Sequence, residues 1–288
     1  WDVTAPAGSV WLFNSSGIHV SSYSGYTGIE SALTAASSGF EIHVGAGTFT
    51  IPGTDQNGLV IDKSVGLYGI QSGVAATGVA RSGGETIIES WIGTNNPTAA
   101  ITIKADGVTI DGFKVTNFNR DGITVQQSAT ETATGVSLRE NISILNNWVV
   151  KGAVGAATSN GVLFGENTTN STNSTLDATL DNLSFSGNYV DVGTSSARPV
   201  AFTSQFRGSG GSFVVSDMVM SGNTVAAGPN GTSVNFAQYG AQTFTNASIT
   251  NNDFLGYFSL SGVSGSTISG NEFLKRAYLG AVSSTISN

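Results

Sequence analysis

Ile144-Leu145-Asn146-Asn147, Phe185-Ser186-Gly187-Asn188, Met220-Ser221-Gly222-Asn223, Ile249-Thr250-Asn251-Asn252 and Ile268-Ser269-Gly270-Asn271 are copies of one phrase: an apolar residue, a spacer, Gly or Asn, then Asn. Ile110-Asp111-Gly112-Phe113 is a weaker earlier copy. Two residues past the Asn an apolar side chain returns, at Val149, Val190, Val225, Phe254 and Phe273. Gly and Asn tolerate left-handed backbone, so each copy reads as strand, sharp bend, strand.

Working outward, a second apolar run follows each copy: Ile123-Thr124-Val125, Val162-Leu163-Phe164, Val200-Ala201-Phe202, Val234-Asn235-Phe236, Phe258-Ser259-Leu260 and Tyr278-Leu279. The first elements recur from Ile110 to Ile286 at intervals of 18 to 41 residues. Such lengths are too short for domains and too uneven for propeller blades. They suit the coils of a solenoid whose excess length is looped out. No 3.6-residue period lies between the strands, so the expected closure is a parallel β-helix, each coil hydrogen-bonding to the next about 4.8 Å along the axis.

Composition is consistent with that. Of 288 residues 38 are Gly, 39% are hydrophobic and 10% are charged, with Lys+Arg 11 against Asp+Glu 19 and a formal charge of −8. An acidic, charge-poor chain argues against nucleic acid or an anionic membrane surface as partner. No apolar run reaches the roughly 18 residues of a membrane span, and no membrane insertion is expected. The chain opens at Trp1 without a signal-peptide core, which reads as a mature, soluble form. With Cys at 0, disulfides, thiolate metal sites and Cys nucleophiles are excluded. The Ser/Thr/Asn/Gly richness suits a secreted, extracellular cell-surface protein.

The chain resembles the right-handed parallel β-helix proteins of the pectin-lyase-like superfamily, from about Thr27 onward. The entry segment Phe40-Glu41-Ile42-His43-Val44-Gly45-Ala46-Gly47-Thr48-Phe49-Thr50, followed by Leu59-Val60-Ile61-Asp62-Lys63-Ser64-Val65-Gly66-Leu67-Tyr68-Gly69, looks like the first coils of such proteins. The likeness is closer to surface and structural members than to the enzymes. It implies an all-β, single-domain fold of about nine coils, roughly 43 Å long on the ~4.8 Å repeat. The implied organisation is an N-terminal strand or hairpin extension over 1–26, a capping helix over 27–39 and the parallel β-helix over 40–288. Thr27-Gly28-Ile29-Glu30 has capping-box spacing, and Ile29 and Leu33 share a helical side. Ser284-Thr285-Ile286-Ser287-Asn288 begins a further coil; either the chain continues or something covers that open coil. The interior is expected to hold Ile110, Ile123, Ile144, Val162, Phe164, Phe185, Phe202, Phe236, Ile249 and Ile268. Loops are expected on one side over 126–142, 165–182, 203–216 and 237–247.

The fold hosts lyases, hydrolases, epimerases, adhesins and fibres, so function rests on residues. His-Glu-x-x-His, calcium-loop, phosphate-loop and nucleophile-elbow motifs are absent. So are the polygalacturonase pattern, the Asp-Pro-His signature of mannuronan epimerases and the pectate-lyase blocks. His19 and His43 are the only imidazoles, and strand alternation puts His43 beside Glu41, a structural rather than a catalytic placement. The densest polar region holds Lys104, Asp106, Asp111, Lys114, Arg120 and Asp121. Lyases of this superfamily use carboxylates for Ca²⁺ and a Lys or Arg as base, which makes Lys104, Asp106, Asp111, Lys114, Arg120 and Arg198 the catalytic candidates. Turn chemistry alone would choose Asp with Gly at these places, and it is the favoured account of the acids. Arg120, Arg198 and Arg276 each precede a second strand, as a basic row for an acidic glycan or as solvated turn residues.

Asn147, Asn188, Asn223, Asn252 and Asn271 recur at one corner, where stacked amides can form a ladder. Asn-x-Ser/Thr sequons stand at Asn14, Asn141, Asn167, Asn170, Asn173, Asn182, Asn230 and Asn246, with Asn167, Asn170 and Asn173 the candidates for glycosylation. The segment Val10-Trp11-Leu12-Phe13, Asn14-Ser15-Ser16-Gly17, Ile18-His19-Val20 reads as strand, turn, strand. It either packs on its own β-helix or pairs with the open coil of a neighbour, with Trp11, Phe13, Ile18, Val20 and Ile286 as assembly contacts. The favoured function is a non-catalytic extracellular structural or adhesive protein, a surface-layer or filament subunit that self-associates head to tail, with cell-surface glycan as a further partner. The rivals are a polysaccharide lyase or epimerase acting on an acidic glycan, and a glycan-binding phage-type fibre. No cofactor and no metal are expected.

Overall fold

In a strand, alternate side chains face opposite ways, so apolar residues at every second position need one interior to share. The computed structural model describes residues 4–90, 99–126, 136–152, 160–165, 177–193, 198–202, 212–228, 231–236, 241–280 and 283–287. Among them the strands form three stacked sheets of 13, 8 and 8 strands. From Phe40 on, the chain visits the first, second and third sheets in turn and then returns to the first, and the strands stack in parallel. The result is a β-helix-like solenoid.

Register aligns the apolar residues into columns. On the first sheet Ile42, Leu67, Ile110, Ile144, Phe185, Met220, Ile249 and Ile268 follow one another strand by strand, all buried. On the third, Leu59, Ile101, Ile123, Val162, Val200, Val234 and Phe258 do the same. Phe164 and Phe202 stack at 4.6 Å inside. Every residue expected in the interior is buried except Phe236, whose side chain lies outside the described residues.

Two features of the interior depart from the expectation of a purely apolar lining. Arg139 is 3% exposed and heads a column continued by Leu180, Val215, Phe244 and Val263. Its Nε donates to the Gln126 carbonyl at 2.9 Å, and Nη1 lies 3.6 Å from Asp106. The strands Ala99–Ile103 and Asp121–Val125 are buried at every residue, so here the third sheet is buried on both faces while the first and second alternate.

The N-terminal end is closed by strands β1 (Ser9–Phe13) and β2 (His19–Ser24) and helix α1 (Gly25–Ala35). β1 pairs antiparallel both with β2 and with β3 (Phe40–Val44), extending the first sheet by two strands. The helix begins two residues before the expected Thr27 and ends before 39. Ser24 is its N-cap without a side-chain cap bond, and Thr27 and Glu30 lie within it, so no capping box forms. Packing places the helix instead: Tyr26, Ile29, Ala32 and Leu33 are buried against the first coil, and the Tyr26 hydroxyl donates to Asp55 at 2.9 Å. Lys63 Nζ donates to the carbonyls of Leu33, Thr34 and Ala36 at 2.7–3.0 Å, satisfying the helix C-terminus.

The bend before the second sheet carries positive φ in successive coils, at Gly112, Asn146, Gly187, Gly222, Asn251 and Gly270. At Gly112 (φ 80°) an added Cβ would also collide with Ser72 N and Gln71 C, in the segment 69–85 that lies against this corner. Gly112→Ala is therefore expected to cost about 2 kcal/mol in urea unfolding, from left-handed strain and overpacking together. An unchanged midpoint would refute this steric account.

Candidate functional site

The asparagine corner is the most regular polar structure of the molecule. Asn147, Asn188, Asn223, Asn252 and Asn271 are all buried at the turn from first to second sheet. Each of the first four donates its backbone N–H and its Nδ2 to the Oδ1 of the next, at 2.8–3.2 Å. Each Nδ2 also donates to a first-sheet carbonyl one coil back: Ile110, Ile144, Phe185, Met220 and Ile249 in turn. Phe113, in the weaker copy, donates its N–H to Asn147 Oδ1 and so starts the ladder without an amide. The ladder consumes its own polar groups and presents none to a ligand.

A second positive-φ column went unread in the sequence: Gly107, Asn141, Asn182, Asp217, Asn246 and Gly265, at a bend in the first-sheet strands. Asn182 Nδ2 donates to Asn141 Oδ1 at 2.6 Å, and Asn246 Nδ2 to Asp217 Oδ1 at 3.3 Å. Asn14 Oδ1 accepts the N–H groups of Ser16 and Ile18 in the hairpin turn. Four sequons thus have a backbone reason for their Asn. Asn167, Asn170, Asn173 and Asn230 lie outside the described residues.

The candidate catalytic residues are spread around the circuit rather than gathered. Lys104 and Asp106 lie between the third and first sheets, and Asp106 accepts the Glu140 N–H. Asp111, buried at the next corner, accepts from Ser72 Oγ at 2.7 Å and Asn146 Nδ2 at 2.8 Å. Lys114 projects from the second sheet with Nζ 3.9 Å from the Trp148 ring centroid. Arg120 precedes the third sheet, and Arg198, exposed, opens its strand Arg198–Phe202. Register pairs Arg198 through Asn160 with Asp121 rather than Arg120, so the two arginines are one residue out of line. Lys151 was not singled out in the sequence; burial pushes its ammonium below the usual lysine range, while Asp121 pulls it back. Among the described residues no His, Asp and Glu set gathers as metal ligands, and no helix is long and apolar enough to cross a membrane.

Three features mark the ends of the solenoid. The outer face of the first sheet carries a cluster of rings: Trp11, Phe13 and His19 lie with centroids 5.4–6.3 Å apart, and Phe13 leads on to His43 at 5.0 Å and His43 to Tyr68 at 5.2 Å. His43 Nε2 lies 3.1 Å from Glu41 Oε2, and burial, with Glu41 and Asp111 nearby, pushes the Tyr68 hydroxyl up. β1 lies between β2 and β3 with both backbone edges used, and Phe13 is buried among these rings. Trp11 and Phe13 therefore cannot offer a strand edge, whereas Ile18 and Val20 are exposed beside the outer edge of β2, and Ile286 is exposed at the far end.

Beside α1 an open groove of about 420 Å³ is lined by Glu30, Asp55, Asn57 and Asp62, among others. Burial and then Asp55 push the Glu30 carboxyl up. Lys63, the cation in its wall, is engaged with the helix carbonyls. At the opposite end Lys275 and Arg276 are exposed, and Lys275 Nζ lies 5.4 Å from the ring centroid of Tyr257.

No family model matches this chain, and no curated protein matches it either. Among solved structures, ORF18 of Geobacillus virus E2 is similar at a TM-score of 0.30 and 14% identity, over 91% of this chain and 58% of that one. This chain thus spans less than two thirds of that protein's length.

Proposed function

We propose that this protein is a non-catalytic extracellular structural or adhesive subunit, a right-handed parallel β-helix of about nine coils that self-associates head to tail. The observation that carries the reading is the direction of β2. β2 is antiparallel to β1, and β1 is antiparallel to β3, so β2 runs with β3 and with the parallel strands stacked above it. Among the described residues its outer edge has no partner strand. A strand from a second copy can extend the sheet there in the same parallel ladder the solenoid uses throughout, and exposed edges of this kind are templates for association. The scatter of the candidate acids and bases supports the non-catalytic part.

Electron microscopy and light scattering of the purified protein test this. Native protein is expected to form end-to-end filaments, and Val20→Lys, placing a charge beside the β2 edge, to reduce association about tenfold or more without loss of fold. Native protein that stays monomeric at high concentration overturns the assembly reading. Release of unsaturated uronate from alginate or pectate would overturn the non-catalytic one in favour of a lyase.

A further inference from the structure

In a solenoid each coil touches only its two neighbours, so one coil can open while the next but one stays closed. The segment 69–85, which joins the first-sheet strand Val65–Tyr68 to the second-sheet strand Thr86–Glu89, breaks that rule. At its base Gln71 Nε2 donates to the carbonyls of Ser82 and Gly84 at 2.7 and 2.5 Å, which closes the segment into a loop. Near its return limb the buried Arg81 and Glu85 side chains pair. The loop runs along the axis, over the bend that precedes the second sheet.

Three later coils meet it there. Asp111, in the next coil, accepts from Ser72 Oγ at 2.7 Å and from the Gly73 N–H at 3.2 Å. One coil further, the Asn146 carbonyl accepts from Arg81 Nη1 at 2.6 Å. One coil beyond that, the Gly187 carbonyl accepts the Ala76 N–H at 2.9 Å, and a Cβ on Gly78 would fall 2.5 Å from the Tyr189 ring. Exposure marks where this cover ends. Gly112 is buried and Asn146 and Gly187 are half-buried, whereas Gly222, Asn251 and Gly270 at the same bend are exposed.

We infer that the segment 69–85 is a strap that makes the coils carrying Tyr68, Asp111, Asn146 and Gly187 open as one cooperative unit, with its boundary between Gly187 and Gly222. Opening at Gly187 alone breaks the Ala76 bond and lifts the strap from Tyr189. Opening at Asn146 alone leaves the buried Arg81 guanidinium short of an acceptor, which is unfavourable. Each coil's opening is therefore loaded with the strap's contacts to the others. Among the described residues the strap makes no hydrogen bond past Gly187, so the later coils are coupled by nearest-neighbour contacts alone. The strap acts within one copy, whatever that copy associates with.

Native-state hydrogen exchange over a urea series tests this, because the urea dependence reports how much surface each opening exposes. Phe113, Asn147, Asn223 and Asn252 each donate their backbone N–H to the Oδ1 of the next coil's Asn at 2.9–3.0 Å, so they report on like bonds. The first two join strapped coils and the last two join coils beyond the strap. In native protein Phe113 and Asn147 are expected to exchange in step, with one protection and one urea dependence. Ala76→Pro removes the bond to Gly187 and keeps the Arg81–Glu85 pair. It is expected to speed exchange at Asn147 about tenfold or more while Phe113 holds. Arg81→Met with Glu85→Leu frees Asn146 as well, and both amides are expected to exchange faster and out of step, with Asn223 and Asn252 as in native protein. Circular dichroism verifies the fold of each variant; if the double variant does not fold, Ala76→Pro decides alone. Independent exchange of Phe113 and Asn147 in native protein overturns the strap. So does a change of equal size at all four amides, which would be a loss of stability without loss of coupling.

Discussion

Asn223→Ala is expected to destabilise the protein by about 4 kcal/mol, because one truncation leaves several buried groups without partners at roughly 1–3 kcal/mol each. The Asn223 amide donates to the Phe185 carbonyl at 2.8 Å and to Asn252 Oδ1 at 2.8 Å. Its Oδ1 accepts the backbone N–H and the side-chain amide of Asn188 at 2.9 and 3.0 Å. Alanine retains only its own N–H bond to Asn252. Asn271, at the end of the described ladder and 8% exposed, also accepts both bonds from Asn252 and donates to Ile249, but it lies nearer solvent, so Asn271→Ala is expected to cost less than Asn223→Ala, about 2–3 kcal/mol. Asn223→Asp sharpens the test: it keeps the shape but buries a carboxylate at a position 1% exposed. Burial raises that carboxyl in the folded state, so its penalty is present at neutral pH and is relieved as pH falls toward the ordinary Asp value of about 4. Urea unfolding followed by circular dichroism supplies the energies. Hydrogen exchange at Phe185 and Asn188 locates the opening, since a solenoid can open locally. A cost under about 1 kcal/mol for Asn223→Ala would mean that water replaces the ladder at little expense.

The second large effect concerns a pair with no sequence signature. Arg81 and Glu85 have side chains only 5% and 8% exposed, joined by Nη2–Oε2 at 2.8 Å and Nε–Oε1 at 3.1 Å. Arg81 Nη1 also donates to the carbonyls of Val74 and Asn146 at 2.7 and 2.6 Å. The segment 69–85 is thereby fastened to the asparagine corner of a later coil, and Ala76 N–H reaches the Gly187 carbonyl one coil further on. Glu85→Leu strands a buried guanidinium, and Arg81→Met strands a buried carboxylate; each is expected to cost about 3–5 kcal/mol. The double variant with Met at 81 and Leu at 85 is expected to recover much of the loss, because no charge is then left buried. A thermodynamic cycle on the four proteins measures the coupling. Strict additivity of the two single costs would show that the residues act independently.

The coil plan was legible because its determinants are local. An apolar residue at Ile144, Phe185 or Ile249 must point inward wherever the strand bends at the same residue, and Asn146, Gly187 and Asn251 carry the positive φ that Asn and Gly tolerate. The hairpin at Asn14 was legible for the same reason. Less visible was the second column of positive φ at Asn141, Asn182 and Asn246, since the same asparagines also read as sequons. The capping-box spacing at Thr27 misplaced the helix start, because packing of Tyr26 and Ile29 set the boundary instead. Arg139 in an apolar column has no sequence cue: its neighbour Leu180 is 41 residues away, and nothing local distinguishes it from a solvated arginine.

The sequence by itself determined that the chain winds through repeated parallel strands, and which residues face inward and where the backbone turns at the asparagine-corner copies and the runs that follow them. Those properties follow from side-chain alternation and from the few residues that accept left-handed backbone. Only the tertiary structure decided that β1 is used on both edges and β2 on one, that Glu30, Asp55 and Asp62 share a groove, and that Ala76 meets the Gly187 corner three coils on. These depend on register summed over many coils and on contacts between residues far apart in the chain. Arg81 and Asn146, 65 residues apart, meet because a connection folds back across the stack, and no periodicity records that.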